Sequence, residues 1–244
     1  MTKKLYFLIL ILLLGLISCG EDGTPDTNRE VTFNTIMPLG ASRVAGNRPS
    51  YESYRYELWK KLVDDGWDFD FIGTVNDRAS YPSFSGKEFD VDHEGRGGWT
   101  SGQILAGIEG WLAETGAPDI VLFSSPGGND ALQGLSFDKA LENINDIIDI
   151  IQTSNPNVTI IIEKMAPGQS FFIPDQIADY FDQIREDIEN LAAEQTTSSS
   201  KVITVDMATG FMDSFLADLV HYNEEGARFV AGRYYDVLVN VLEE

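Results

Sequence analysis

Five times along this chain a short, largely apolar or β-branched run is followed by a longer amphipathic stretch. The short runs are Phe33–Leu39, Phe69–Gly73, Ile120–Ser124, Val158–Glu163 and Val202–Asp206. Strands covered on both faces read this way, as near-continuous apolar segments. The longer stretches are Tyr51–Asp65, Ser101–Glu114, Phe137–Thr153, Pro174–Glu194 and Glu224–Leu242. In the third of these, Leu141, Ile144, Ile147, Ile148 and Ile151 fall at helical spacing and predict one buried face. Alternation of this kind implies an α/β fold: a three-layer α/β/α sandwich around a five-stranded parallel sheet. Such sheets place their sites at the carboxyl ends of the strands, so the residues just past each strand are the ones to search.

The chain has 244 residues, and 43% of them are hydrophobic, which is enough for one globular domain with its own core. The alternation predicts that domain over residues 32–244. The net charge of −22 repels phosphate backbones, so nucleic acid is excluded as a partner. Cys19 is the one cysteine, so no intrachain disulfide can form. Lys3 and Lys4 precede an apolar run from Leu5 to Ile17, with Ser18 before Cys19. The run is shorter than the ~20 residues a spanning helix needs, and the pattern predicts a secretory signal peptide over residues 1–18. Leu16-Ile17-Ser18-Cys19 resembles the lipobox of bacterial lipoproteins. That resemblance implies lipidation of Cys19 and a membrane contact through the lipid. Gly20, not Asp, stands at the second mature position, which favours the outer membrane of the cell envelope. Residues 19–31 are polar and aperiodic and read as a tether.

Histidine is the commonest general base near neutral pH, and the chain holds two, His93 and His221. Asp218 lies three residues before His221, an offset that lets a carboxylate orient an imidazole. Ser42, in Pro38-Leu39-Gly40-Ala41-Ser42-Arg43, comes directly after the first strand. It can present a hydroxyl over the sheet, or serve only as a helix cap. Asn129, in Gly127-Gly128-Asn129-Asp130 after the third strand, can aim an amide at an oxyanion or simply make a turn. Asp92-His93-Glu94-Gly95-Arg96-Gly97-Gly98-Trp99 offers glycine N–H groups for close approach, or a surface loop.

Taken in order, Gly-x-Ser, the Gly-rich loop, Gly-x-Asn-Asp and Asp-x-x-His resemble the SGNH (GDSL-like) hydrolases over nearly all of residues 33–242. The resemblance implies a flavodoxin-like SGNH hydrolase fold and a serine esterase. Its nucleophile falls on Ser42, and its acid and base fall on Asp218 and His221. Its oxyanion donors fall on Ser42, Gly98 (with Gly97 the alternative) and Asn129. One departure stands out: the first block is usually Gly-Asp-Ser, and Ala41 replaces that Asp, which implies a looser nucleophile loop. Ile36–Gly40, Ser53-Tyr54-Arg55, Asp70–Gly73 and the His93 segment are similar to carbohydrate esterases that deacetylate xylan. This narrower likeness implies an acylated saccharide substrate. His93, Glu94 and Trp99 are then substrate-lining, with a loop-ordering role open for His93 and Glu94. Tyr51, Tyr54, Phe171 and Phe172 are further candidates for a sugar platform. No metal or cofactor is implied, because one acylated cysteine and two histidines make a poor ligand set. Two rival readings share the fold: a short-chain lipid or acyl esterase, and a glycan-binding surface lipoprotein with impaired catalysis.

Overall fold

The computed structural model describes residues 34–242. The expected signal peptide, lipidation at Cys19 and tether therefore lie outside the described residues. The five expected strands are present as β1 (Thr35–Gly40), β2 (Asp70–Phe71), β5 (Ile120–Phe123), β6 (Thr159–Lys164) and β7 (Lys201–Asp206). Two more, β3 (Val75–Asn76) and β4 (Asp92–Gly95), bring the sheet to seven. Its order is β3-β4-β1-β5-β6-β7, with β2 also beside β1. All pairs are parallel except β3 with β4.

The expectation of five strands is corrected at one edge of β1. There β2 pairs with Thr35 and Ile36, and β4 takes over at Leu39 and Gly40. The sequence places a single strand, Phe69–Gly73, where the chain uses two short ones in succession. Asp92-His93-Glu94-Gly95 has no strand-like composition; its extended form is imposed by the pairing with β1.

Side chains alternate across the strands, and each set meets its own layer of helices. Ile36, Ile120, Leu122 and Ile161 face a core built with α2 (Arg55–Asp64) and α7 (Glu224–Leu238). Met37, Val121, Phe123, Ile160 and Ile162 face the other core. That second layer holds α3 (Ser101–Thr115), α5 (Phe137–Ser154) and α6 (Asp175–Gln195). On α5 the predicted stripe holds: Ile144, Ile147, Ile148 and Ile151 are fully buried. Two short helices, α1 (Ser42–Ala45) and α4 (Gly128–Leu132), start just past β1 and β5, at the carboxyl end of the sheet.

Candidate active site

Ser42 is the first residue of α1, so β1 hands its hydroxyl directly to the carboxyl edge of the sheet. A glycine is required just before it. A Cβ on Gly40 would lie 2.7 Å from the Ser124 carbonyl oxygen on the neighbouring chain segment and 2.9 Å from Val44. Ser42 Oγ is 2.8 Å from His221 Nε2. His221 Nδ1 is 2.8 Å from Asp218 Oδ2. The other oxygen, Asp218 Oδ1, accepts the backbone N–H groups of Val220 at 2.9 Å and His221 at 2.8 Å. Partial burial acts to raise the Asp218 carboxyl, but these two backbone bonds and the His221 ring outweigh it and hold it below the usual carboxylate range. The Tyr51 ring stacks on the imidazole at 3.9 Å between centroids, 13° from parallel.

Asn129 sits in the first turn of α4, with its Nδ2 donating to the Trp99 carbonyl at 2.8 Å. An amide NH₂ has two donors, so one N–H remains for another acceptor. One turn further on, Gln133 Nε2 donates to the Gly98 carbonyl at 3.0 Å. Helix α4 thus holds the Gly98–Trp99 backbone by two adjacent carbonyls. Gly98 has φ +78, a left-handed conformation that glycine adopts without a steric cost. Beside Ser42 opens a recess of about 350 Å³, its open mouth included, lined by Ala41, Asn129, Leu132, Met165, Phe181 and Val220 among others.

Three of the expected substrate-lining residues are elsewhere. His93 is 2% exposed on β4, and its Nδ1 accepts the Gly95 N–H at 2.9 Å. Burial first, and the Arg55 charge with it, pushes the imidazole down to about 3, so His93 is a neutral acceptor inside the fold. Glu94 is fully buried; its Oε2 accepts the Thr74 N–H and hydroxyl, and its Oε1 pairs with Arg96. Both residues are buried, and these contacts tie the loop to itself and to Thr74, away from the surface where a substrate would bind. Tyr54 is likewise a core residue, packed on Tyr234. Trp99 is half-buried against Trp111, with the Arg96 guanidinium over both rings. Phe171 and Phe172 are strongly exposed. Their loop is tied to the Asp218–His221 segment through Gln169 N–H, which donates to the Leu219 carbonyl.

Sequence reasoning missed Arg43, Ser125 and Glu163, which lie buried or half-buried around the nucleophile turn. A basic residue immediately after the candidate nucleophile was the available signal for Arg43. Among the described residues, no group of three or more His, Cys, Asp or Glu side chains is placed to hold a metal ion.

The model of the GDSL-like lipase/acylhydrolase family matches residues 64–229, more than half of the chain. The chain belongs to that family. The matched span takes in Gly98, Asn129, Asp218 and His221; Ser42 lies outside it, 22 residues before its start. No curated protein matches the sequence. This acylhydrolase is similar in structure to an acetyl esterase mutant crystallised with an acetate ion: 28% identity, TM-score 0.73, 85% of this chain and 97% of that one. A carbohydrate esterase family 3 structure from Talaromyces cellulolyticus gives the same four values. The family 3 carbohydrate esterase of Clostridium thermocellum is 30% identical, with TM-score 0.68, over 86% of this chain and 99% of that one. The protein is therefore a carboxylic ester hydrolase of the SGNH type.

Proposed function

We propose that this hydrolase removes short acyl groups, acetyl foremost, from carbohydrate by a Ser-His-Asp acyl-enzyme mechanism. The observation that carries the reading is the unbroken line of two 2.8 Å contacts from Ser42 Oγ through His221 to Asp218. His221 Nε2 takes the Ser42 proton as Oγ attacks the ester carbonyl. Asp218 keeps the remaining ring proton on Nδ1 and stabilises the imidazolium. Ser42 N–H, Gly98 N–H and the second Asn129 N–H are the donors for the oxyanion. Each such donor is typically worth about 3–4 kcal/mol in the barrier. As the bond from the carbonyl carbon to the sugar oxygen breaks, the imidazolium gives its proton to that oxygen, and water, activated by His221, then releases the acid. The likeness to family 3 carbohydrate esterases supports the sugar substrate.

The deciding experiment is acetate release from acetylated xylan beside a Ser42→Ala control. A fully active Ser42→Ala would remove the nucleophile assignment, and hydrolysis of nitrophenyl acetate without release from any glycan would remove the substrate.

A second reading has its own support. The recess beside Ser42 has apolar walls in Leu132, Met165, Phe181 and Val220. A longer-chain acyl or lipid ester suits such walls. Higher kcat/KM on nitrophenyl octanoate than on the acetate would favour that reading.

The lipobox-like Leu16–Cys19 supports anchoring at Cys19 in the cell envelope. Expressed in a bacterial host, the protein should partition into the detergent phase of Triton X-114, and Cys19→Ala should move it to the aqueous phase. Equal partitioning of the two would refute the anchor.

A further inference from the structure

Position 41 carries only a methyl group, so no side chain there can tie the nucleophile turn to its surroundings. The next basic group does. Arg43 is 6% exposed, and its guanidinium donates to four acceptors. Nε donates to the carbonyl of Val220, the residue before His221, at 2.8 Å. Nη1 donates to the Ala166 carbonyl at 2.9 Å and to Ser125 Oγ at 3.2 Å. Nη2 donates to the Pro167 carbonyl at 3.1 Å. The guanidinium also stands 4.9 Å from the centre of the Tyr222 ring, the residue after His221. One side chain rooted beside Ser42 therefore contacts both chain neighbours of His221.

The Ser125 contact extends this hold to the third part of the centre. Ser125 has φ +48, a conformation that costs a non-glycine residue about 1–3 kcal/mol and persists only where its surroundings enforce it. Its N–H and hydroxyl both donate to Glu163 Oε2, at 2.8 and 3.1 Å. With its proton committed to Glu163, the hydroxyl presents lone pairs to Arg43. The Ser125 carbonyl accepts the Gly128 N–H at 3.2 Å, one residue before Asn129.

We propose that Arg43 is a positioning residue of the acyl-transfer centre, holding the His221 loop and the Asn129 turn in register with Ser42. The proposal rests on the reading of Ser42, His221 and Asn129 given above. Arginine is needed because the four acceptors lie in several directions on three separate segments, at Ser125, Ala166–Pro167 and Val220. A planar fork with donors in fixed directions reaches them together, and an ammonium, a single point, does not. An apolar side chain of similar length would leave buried acceptors unmatched.

The test compares full-length wild type, Arg43→Ala, Arg43→Lys and Ser42→Ala with nitrophenyl acetate, well below each melting temperature. We expect folded Arg43→Ala to lose about 100-fold in kcat, the scale of an ~1 Å misplacement of reacting groups. KM for this small ester should stay within about threefold, since the lost interaction is not one of substrate binding. Guanidinium should restore part of that rate, and ammonium at equal ionic strength should not. Arg43→Lys should remain slow. A folded Arg43→Ala with wild-type kcat overturns the proposal. So does a loss that guanidinium leaves as unrepaired as ammonium does. Failure of both Arg43 variants to fold would make the residue part of the fold's support and would also overturn it. These failures differ from failure of the mechanism itself, which would appear as activity in Ser42→Ala.

Discussion

The two oxygens of Asp218 have separate duties, and this separates its roles experimentally. Oδ1 holds the loop through Val220 and His221 N–H, and only Oδ2 faces the imidazole. In Asp218→Asn the carbonyl oxygen can keep both backbone bonds while the NH₂ faces Nδ1. That contact favours the wrong tautomer, so kcat should fall about 10³–10⁴-fold, with the melting temperature nearly unchanged. A loss of stability without that loss of kcat would contradict the assigned role. His93 carries a pH dependence of a different kind. Its imidazole is pushed down to about 3 from 6.5, so the unfolded chain binds the proton more readily. The stability this contributes is fully present above pH 6.5 and is lost as pH falls toward about 3. Urea unfolding across that range should show the slope, and His93→Gln, which can still accept the Gly95 N–H, should flatten it.

Among the secondary-structure elements, the end of β1 sets the position of the nucleophile turn. Gly40→Ala would place a methyl 2.7 Å from the Ser124 carbonyl and force β1 and β5 apart just before Ser42. We expect about 1–3 kcal/mol of destabilisation by chemical denaturation, with a fall in kcat, from overpacking this contact. An alanine variant as stable as the wild type would show that the edge can yield. The same region marks the boundary of what is readable in sequence. The buried strands and the α5 stripe are legible because burial on both faces, or on one helical face, leaves a local pattern. The start of α2 is not: residues 51–54 match the helical period, yet Tyr51 bridges to Asn47 and Glu52 to Tyr222. A partner 170 positions away in the chain leaves no local trace. For the same reason β4 reads as a loop in sequence, and His93 and Glu94 as facing a substrate. Their polarity is visible there, and the pairing of their strand with β1 and β3 and the bond from Thr74 to Glu94 are not. The candidate nucleophile, base, acid and amide are implied by the resemblance of four ordered blocks to the SGNH hydrolases, whereas Arg43 needs the fold, since its acceptors come from three distant segments.

For the molecule as a whole, the charge of −22 predicts a preference among the proposed glycan substrates. A neutral acetylated xylan approaches it without an electrostatic cost; an acetylated glycan rich in uronic acids is repelled. Raising ionic strength toward about 0.15 M, where the screening length falls to about 8 Å, should lower KM for the acidic polymer and leave the neutral one unchanged. Parallel salt titrations of the two would check this, and equal responses would argue against a field effect.

The contact between Ser42 and His221 closes a span of 179 residues. During synthesis the serine leaves the ribosome long before the histidine has been translated. On the proposed mechanism, an unfinished chain therefore carries Ser42 without the His221 that activates it, and hydrolysis awaits the loop that bears Asp218 and His221. On that mechanism, a product truncated before His221 would be inert.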